Sequence, residues 1–256
     1  MRNTFLRLSI VLVVLGTALF SSCAGKYKDF PFGGMNGRVQ KVTIWHLMPE
    51  VWYANQRGSD IMYINTSVYD YEGNEIYSAV QDSANRFVSQ AESMFEDGVC
   101  TRSIQKSGTR TIARLNLMNS ERGTLQYNKE MNGHVTRMEV KETSFGRRHK
   151  SVVTEDGKIT TISIIQTDRQ GYPSKIITKE PQKGTETVET NTFDEHHNVI
   201  EKHVVIHNVE TGEDEEHITR IKYGDLDEHG NWKDCRTYNE FSLPVEVLVR
   251  EFEYWE

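Results

Sequence analysis

Short segments of alternating apolar and polar residues recur along most of the chain. In the segment 161–164, isoleucines alternate with Thr161 and Ser163, and valines occupy every second position of the segment 245–249. A period of two residues is typical of a β-strand with one drier face. The apolar residues change phase after Arg250, which predicts a β-bulge near that residue.

Turn sequences of one kind separate these segments. Each begins with aspartate, and glycine usually stands at the fourth position. The aspartate can accept hydrogen bonds from backbone N–H groups of the turn, and glycine supplies the positive φ that a tight hairpin needs. The predicted turns contain Asp70 and Gly73, Asp168 and Gly171, Asp194 and His197, and Asp227 and Gly230. His197 must therefore adopt a conformation that favours glycine, or its turn must differ.

The intervals between turns set the number of strands. The 14 residues from Gly157 to Gly171 suit one strand, and the next intervals, 26 residues to His197 and 33 to Gly230, suit two strands each. We predict an all-β protein, an antiparallel meander of repeated hairpins in an extended, curved or partly closed sheet. Ser83–Phe95 is the one candidate for a short helix, although a strand and loop would also fit its apolar spacing.

The first 22 residues have the layout of a secretory signal, with arginines, an apolar run and small residues before Cys23. The apolar run is short for a membrane-spanning helix. Leu19–Cys23 resembles a bacterial lipobox, although Phe20 departs from the usual aliphatic residue. The resemblance implies lipidation of Cys23, a tether over residues 23–34 and one domain over residues 35–256. The alternative is an ordinary signal peptide that leaves Cys23 as a thiol.

The residues after Cys23 predict the location of the protein. Ala24 stands where lipoproteins retained at the inner membrane usually carry aspartate, and no acidic cluster of the kind found in some surface-exported lipoproteins follows at once. By resemblance, we predict a lipid anchor in the outer membrane and a domain that faces the periplasm.

The composition is polar and acidic. The net charge is −7, 26% of the residues are charged, and the mean hydropathy is −0.60. Removal of the signal makes the charge −9, because Arg2 and Arg7 leave with it. An acidic domain argues against nucleic-acid binding, which needs a basic face. The low apolar content fits a thin sheet that is partly wet on both faces.

Three other features of the sequence bear on disulfide formation and metal binding. Cys100 and Cys235 either form a disulfide or remain unpaired, since spacing alone does not decide. Asp225–Arg236 resembles half of a calcium loop, but Arg236 stands where the bidentate glutamate belongs, so we interpret it as a hairpin turn. His203 and His207 would lie about 13 Å apart on one strand face, too far to share an ion directly. We predict no metal site.

Tyr69–Asn74, Phe193–Asn198 and Tyr223–Trp232 resemble degenerate YD repeats of the RHS type. Each has an aromatic–aspartate step or a remnant of one, a turn and a following strand. The layout over residues 35–256 resembles uncharacterised Gram-negative lipoproteins with such repeats. The resemblance implies an all-β sheet without catalytic residues.

The sequence contains neither a G-x-S-x-G nucleophile elbow nor a glycine-rich phosphate loop. We therefore predict a non-catalytic protein without a cofactor, which acts as an interaction or scaffold module for an envelope protein through a sheet surface. The alternative is a carbohydrate- or peptidoglycan-binding module that stacks sugars on Trp45, Trp52 or Trp232. A hydrolase with a site assembled from distant residues is the third reading.

Overall fold

The structure, a computed structural model, describes residues 35–49, 61–121 and 123–256. These residues form sixteen antiparallel strands, and each strand pairs with the next along the chain. The last strand also pairs with the first, so the meander closes into a barrel. The strands are β1 (Val39–Leu47), β2 (Ile61–Tyr69), β3 (Glu75–Asp82), β4 (Phe87–Glu96), β5 (Val99–Ser107), β6 (Arg110–Glu121), β7 (Thr124–Met131), β8 (His134–Phe145), β9 (Arg148–Glu155), β10 (Lys158–Thr167), β11 (Pro173–Glu180), β12 (Thr185–Phe193), β13 (Val199–Asn208), β14 (Asp214–Tyr223), β15 (Asp234–Tyr238) and β16 (Pro244–Tyr254).

The predicted all-β meander is confirmed, and the turn spacing assigned its strands correctly. One strand, β10, lies between the turns at Gly157 and Gly171. Two strands, β11 and β12, separate Gly171 from His197, and another two, β13 and β14, separate His197 from Gly230.

Closure of the barrel corrects the prediction of an extended or partly closed sheet. β1 and β16 form a continuous seam in which Val42 pairs with Phe252 and Ile44 pairs with Arg250. Lys41 Nζ lies 2.6 Å from the Glu253 carboxylate across this seam, although the two residues are 212 positions apart. Local patterns cannot reveal such a pairing, because they report on neighbours along the chain.

Burial distinguishes the two faces of the barrel wall. When the strand registers are followed around the barrel, every buried strand residue except Ala79 and Val247 belongs to one face. We call it the inner face, because side chains on the concave side of a closed sheet converge and shield one another. The other face is the outer face.

The largest apolar cluster lies on the inner face of β5–β9. Tyr127 is fully buried there, and its hydroxyl donates a hydrogen bond of 3.1 Å to the carbonyl of Cys100. The cluster consists of Cys100, Leu115, Leu125, Tyr127, Met138, Val140 and Val153. A smaller cluster at the seam contains Val39, Val42 and Tyr69, with Phe252 packed against it. Cys100 and Cys235 are both buried thiols, on β5 and β15, and are not joined in a disulfide.

Two predictions about local structure are wrong. Ser83–Phe95 is not a helix: its larger part belongs to β4, which pairs with β3 and β5 and gains its backbone hydrogen bonds from them. β16 has no bulge near Arg250, because its register with β1 is uninterrupted there. The apolar residues change phase because Val249 faces outward whereas Phe252 faces inward.

The wall differs between two arcs of the barrel. Over β6–β8 the apolar cluster points inward, and charged side chains such as Arg114, Glu130 and Arg137 occupy the outer face. Over β10–β12 a row of hydroxyl side chains points inward instead, formed by Ser163, Thr178 and Thr187. The aliphatic residues that alternate with them therefore face outward.

Candidate interaction surface

An aliphatic row crosses the outer face of four neighbouring strands. Ile164 on β10 pairs with Ile177 on β11, which pairs with Val188 on β12, and Val188 pairs with Val205 on β13. Direct partners in antiparallel strands have Cβ atoms about 5 Å apart, so these side chains form a continuous strip. All four are partly exposed. We call these four residues the outer row.

Charged side chains border the outer row, and their sign changes at its middle. The border on β9 and β11 is basic and consists of Arg148, Lys150, Lys175 and Lys179. The border on β12–β14 is mainly acidic and consists of Glu186, Asp214 and Glu216, with His203 and His207 among them. Lys179 and Glu186 meet where the halves join, with Nζ 2.6 Å from the carboxylate oxygen. The surface is thus apolar in the centre and electrostatically bipolar at its border.

The two histidines of this border pair with separate carboxylates. His203 Nε2 lies 2.7 Å from Glu216, and His207 Nδ1 lies 2.6 Å from Asp214. They do not converge on one point, and the part of the chain that the structure describes contains no group of three His, Cys, Asp or Glu side chains arranged to hold a metal.

The four aspartate turns share one hydrogen-bond pattern. In the turn that begins at Asp227, the N–H of Gly230 donates to the Asp227 carbonyl (3.1 Å), and the N–H groups of His229 and Asn231 donate to Asp227 Oδ1 (2.9 and 2.8 Å). The turns at Asp168 and Asp194 repeat all three bonds, and the turn at Asp70 repeats the carbonyl bond and one carboxylate bond.

The turn at Asp194 places a histidine where the others have glycine. His197 has a φ of 63°, in the left-handed region, whereas Gly230 at the equivalent position has a φ of 82°. A side chain in this region costs roughly 1–2 kcal/mol. The imidazole of His197 stacks on Tyr172, with ring centroids 4.1 Å apart, and this contact offsets part of the cost.

The turn at Asp227 also joins the two ends of the barrel domain. The Asn231 side chain accepts from the N–H of Asn36 (2.7 Å) and donates to the carbonyl of Asn36 (2.9 Å) and to the Tyr254 hydroxyl (2.8 Å). Tyr254 in turn donates to Asp227 Oδ2. Burial alone would raise the pKa of Asp227, but the bonds from Tyr254, Asn231 and His229 outweigh it and lower that pKa. The Asp227 carboxylate therefore already accepts hydrogen bonds from groups of the protein itself.

Two of the three candidate stacking tryptophans lie in the described part of the chain. The Arg250 guanidinium sits 3.5 Å from the centroid of the Trp232 ring, and Arg250 Nε donates to the Trp232 carbonyl (3.1 Å). Burial lowers the pKa of Arg250 to about 10, so the group remains a cation at neutral pH. Trp45 lies on the outer face of β1 between Ile64 and Val249. Trp52 and Cys23 lie outside the described residues.

Sequence reasoning missed a polar cluster on the inner face at the seam. His46 Nδ1 lies 2.6 Å from Glu246, its Nε2 lies 3.1 Å from the amide of Asn65, and the Tyr63 hydroxyl donates to Glu246 (3.1 Å). Burial, reinforced by the Glu246 charge, raises the pKa of Tyr63. Because both nitrogens of His46 have protein partners, the cluster fixes side chains rather than offering a free base. No local motif signals it, since its residues meet only when β16 reaches β1.

Within the described ranges, no helix has the length and apolar character needed to cross a membrane.

No family model and no curated protein matches this chain. Among solved structures, it is similar to a porin-like protein from Bacteroides vulgatus ATCC 8482, with a TM-score of 0.46 and 8% identity over 85% of this chain and 98% of the other. It is also similar to a porin-like protein from Bacteroides uniformis ATCC 8492, with a TM-score of 0.42, 8% identity and the same coverage.

Proposed function

We propose that this protein is a lipid-anchored, non-catalytic module of the cell envelope that binds a protein partner through the outer face of β10–β13. The outer row carries this proposal. Apolar side chains gain free energy when they leave water, so a strip of them on an outer wall favours a covering partner. An apolar centre with a polar, charged border is also the usual make-up of a protein–protein contact surface.

The outer face of β10–β13 is less suited to contact with lipid than to contact with a protein. On β11, Ile177 is flanked two residues away on either side by Lys175 and Lys179, so the apolar strip is one residue tall there. A membrane-spanning barrel needs an apolar band about 25 Å tall around its circumference. On the arc formed by β6–β8, Arg114 and Glu130 pair on the outer face, at 3.3 Å. An arginine or lysine at the bilayer midplane costs about 2–4 kcal/mol.

These observations lead to a proposed location. The barrel lies in the periplasm beside the outer membrane and is held there by lipid on Cys23, as the lipobox resemblance implies. The wall itself does not enter the bilayer, because its outer charges would lose their hydration.

Glycan binding has less support than protein binding. Stacking on a sugar needs an open aromatic face. The ring of Trp232 is covered by Arg250 and also contacts Tyr223, at a centroid distance of 5.4 Å. Trp45 remains as an outward-facing tryptophan on β1.

Site-specific photo-crosslinking in living cells tests the proposal. A photoreactive amino acid replaces Val188, at the centre of the outer row, and in a matched variant it replaces Val135. Val135 lies on the outer face of β8 and is 66% exposed, which makes it the more accessible position. We expect a protein adduct from position 188 that is absent from position 135. Equal adducts from both positions, or only glycan or lipid adducts from position 188, would overturn the proposal.

A further inference from the structure

We infer that the partner of the outer row is a second copy of this chain, in a two-fold symmetric dimer. This inference rests on the proposed function, because it names the occupant of the same surface. It follows from the strand order and from the sign of the charges on each strand.

The strand order allows the outer row to pair with itself. In a face-to-face dimer whose two-fold axis runs parallel to the strands, between β11 and β12, each strand meets a different strand of the second copy. β11 lies opposite β12 and β10 lies opposite β13. Ile177 then faces Val188 of the second copy, and Ile164 faces Val205 of the second copy. A two-fold contact of this kind uses the same patch on both subunits.

The same axis brings opposite charges together. Lys179 of each copy faces Glu186 of the other, because these residues occupy equivalent positions on β11 and β12. Lys150 on β9 lies opposite Glu216 on β14 of the second copy, since both are at the ends of the strip that contains the outer row. Two of the four basic border residues therefore meet an acidic residue, whereas Lys175 faces Thr190 and Arg148 faces Ile218 of the second copy. An anionic surface would attract only the basic half and would repel the other.

The dimensions of the surface set the expected strength of the contact. Four strands at a spacing of about 4.8 Å and three rows of side chains cover on the order of 400 Å² per copy, about half of the roughly 800 Å² that each partner contributes to a standard interface, so we expect a weak dimer. The wall of a barrel is convex, so β10–β13 make the central contact.

A pair of charge variants tests this inference through association of the full-length, mature protein. Lys179→Glu and Glu186→Lys each place like charges opposite one another in a dimer of identical subunits. We expect each variant alone to dimerise about tenfold or more weakly than the wild type, in sedimentation experiments in density-matched detergent. When the two variants are mixed, opposite charges face each other again, so heterodimers should recover wild-type affinity.

The mixing step separates contact between copies from damage to the fold. Each substitution also breaks the ion pair within its own chain, but mixing cannot repair that loss. Ile177→Asp should abolish the dimer, whereas Val135→Asp, on the exposed outer face of β8, should leave it unchanged. A wild-type protein that stays monomeric, or a mixture that fails to recover association, would overturn the inference.

The two proposals fail in different ways. A monomeric protein whose position 188 crosslinks specifically to another protein would overturn the dimer and leave the proposed function standing. A monomeric protein with no protein adduct at position 188 would overturn both.

Discussion

At the scale of single residues, aspartates at equivalent turn positions differ in the number of hydrogen bonds that they accept. Asp168 and Asp227 both accept two backbone N–H bonds through the carboxylate. Only Asp227 also accepts from Tyr254 and adjoins Asn231, whose side chain holds Asn36. The turn at Asp227 thereby couples local geometry to the seam.

We expect Asp227→Ala to lower the free energy of unfolding by about 2–3 kcal/mol, because it removes several hydrogen bonds and leaves the Tyr254 hydroxyl without this acceptor. Asp168→Ala, in a turn of the same pattern, should cost about 1 kcal/mol. Urea unfolding of both variants measures the difference. Equal losses would mean that the contact with Tyr254 adds nothing.

Cys235 should make stability sensitive to alkaline pH. Burial raises the pKa of its thiol from 9.0 to about 12. A raised pKa means that the folded protein keeps the proton that the unfolded chain loses, so this contribution is complete below pH 9 and is lost as the pH rises towards 12. Cys235→Ala should therefore flatten the fall in unfolding free energy over that interval. An unchanged slope in urea unfolding at successive pH values would contradict this.

The sequence predicts turn residues well because their chemistry is local. An aspartate and a residue three positions later define the hydrogen bonds of a turn, and the left-handed conformation at His197 follows from the same spacing. The cluster of His46, Tyr63 and Glu246 could not be predicted, because its members lie on β1, β2 and β16.

At the scale of elements, alternation identifies strands but not the face that turns inward. Segment 161–164 has the alternation of an ordinary strand, and its isoleucines at 162 and 164 face outward. Ser83–Phe95 shows the opposite difficulty, because its apolar spacing fits a helix. Pairing with β3 and β5 provides the hydrogen bonds that make it part of a strand.

The inner cluster of β5–β9 should dominate the stability of its arc. Leu115 is 2% exposed, so Leu115→Ala removes buried methyl groups and leaves a cavity, at a cost of about 2–5 kcal/mol. Val135→Ala on β8 changes an exposed outer side chain and should cost less than about 0.5 kcal/mol. Thermal or urea unfolding compares the two. Similar losses of unfolding free energy in the two variants would show that the inner face of β5–β9 is not the core.

At the scale of the whole molecule, the outer charges predict how the protein behaves with membranes. The mature protein should give no stable conductance steps in planar bilayers, because charged side chains such as Lys175, Lys179 and Arg114 interrupt the apolar residues on the outer face of the described strands. Replacement of residues 1–23 by a cleavable secretion signal should move the protein from the membrane fraction to the soluble periplasmic fraction. Conductance steps, or retention in the membrane without Cys23, would contradict a tethered barrel.

Closure lies beyond the reach of sequence patterns for a physical reason. A meander of hairpins can end as an open sheet or as a ring, and both have the same local pairings. What differs is one further pairing, between β1 and β16, which includes contacts such as Val42 with Phe252. That pairing depends on the accumulated twist and curvature of all the strands between them.

The seam between β1 and β16 also sets the order in which this protein can be made. Of the described strands, β1 emerges first during synthesis, and its second neighbour is the last to appear. Until then one edge of β1 has unpaired backbone N–H and C=O groups. Another polypeptide can pair with this edge, and such pairing is the usual route to strand-mediated aggregation. A chain that stops before β16 keeps this edge permanently. The time between the first strand and the last is therefore the period in which a chaperone would matter most to this barrel.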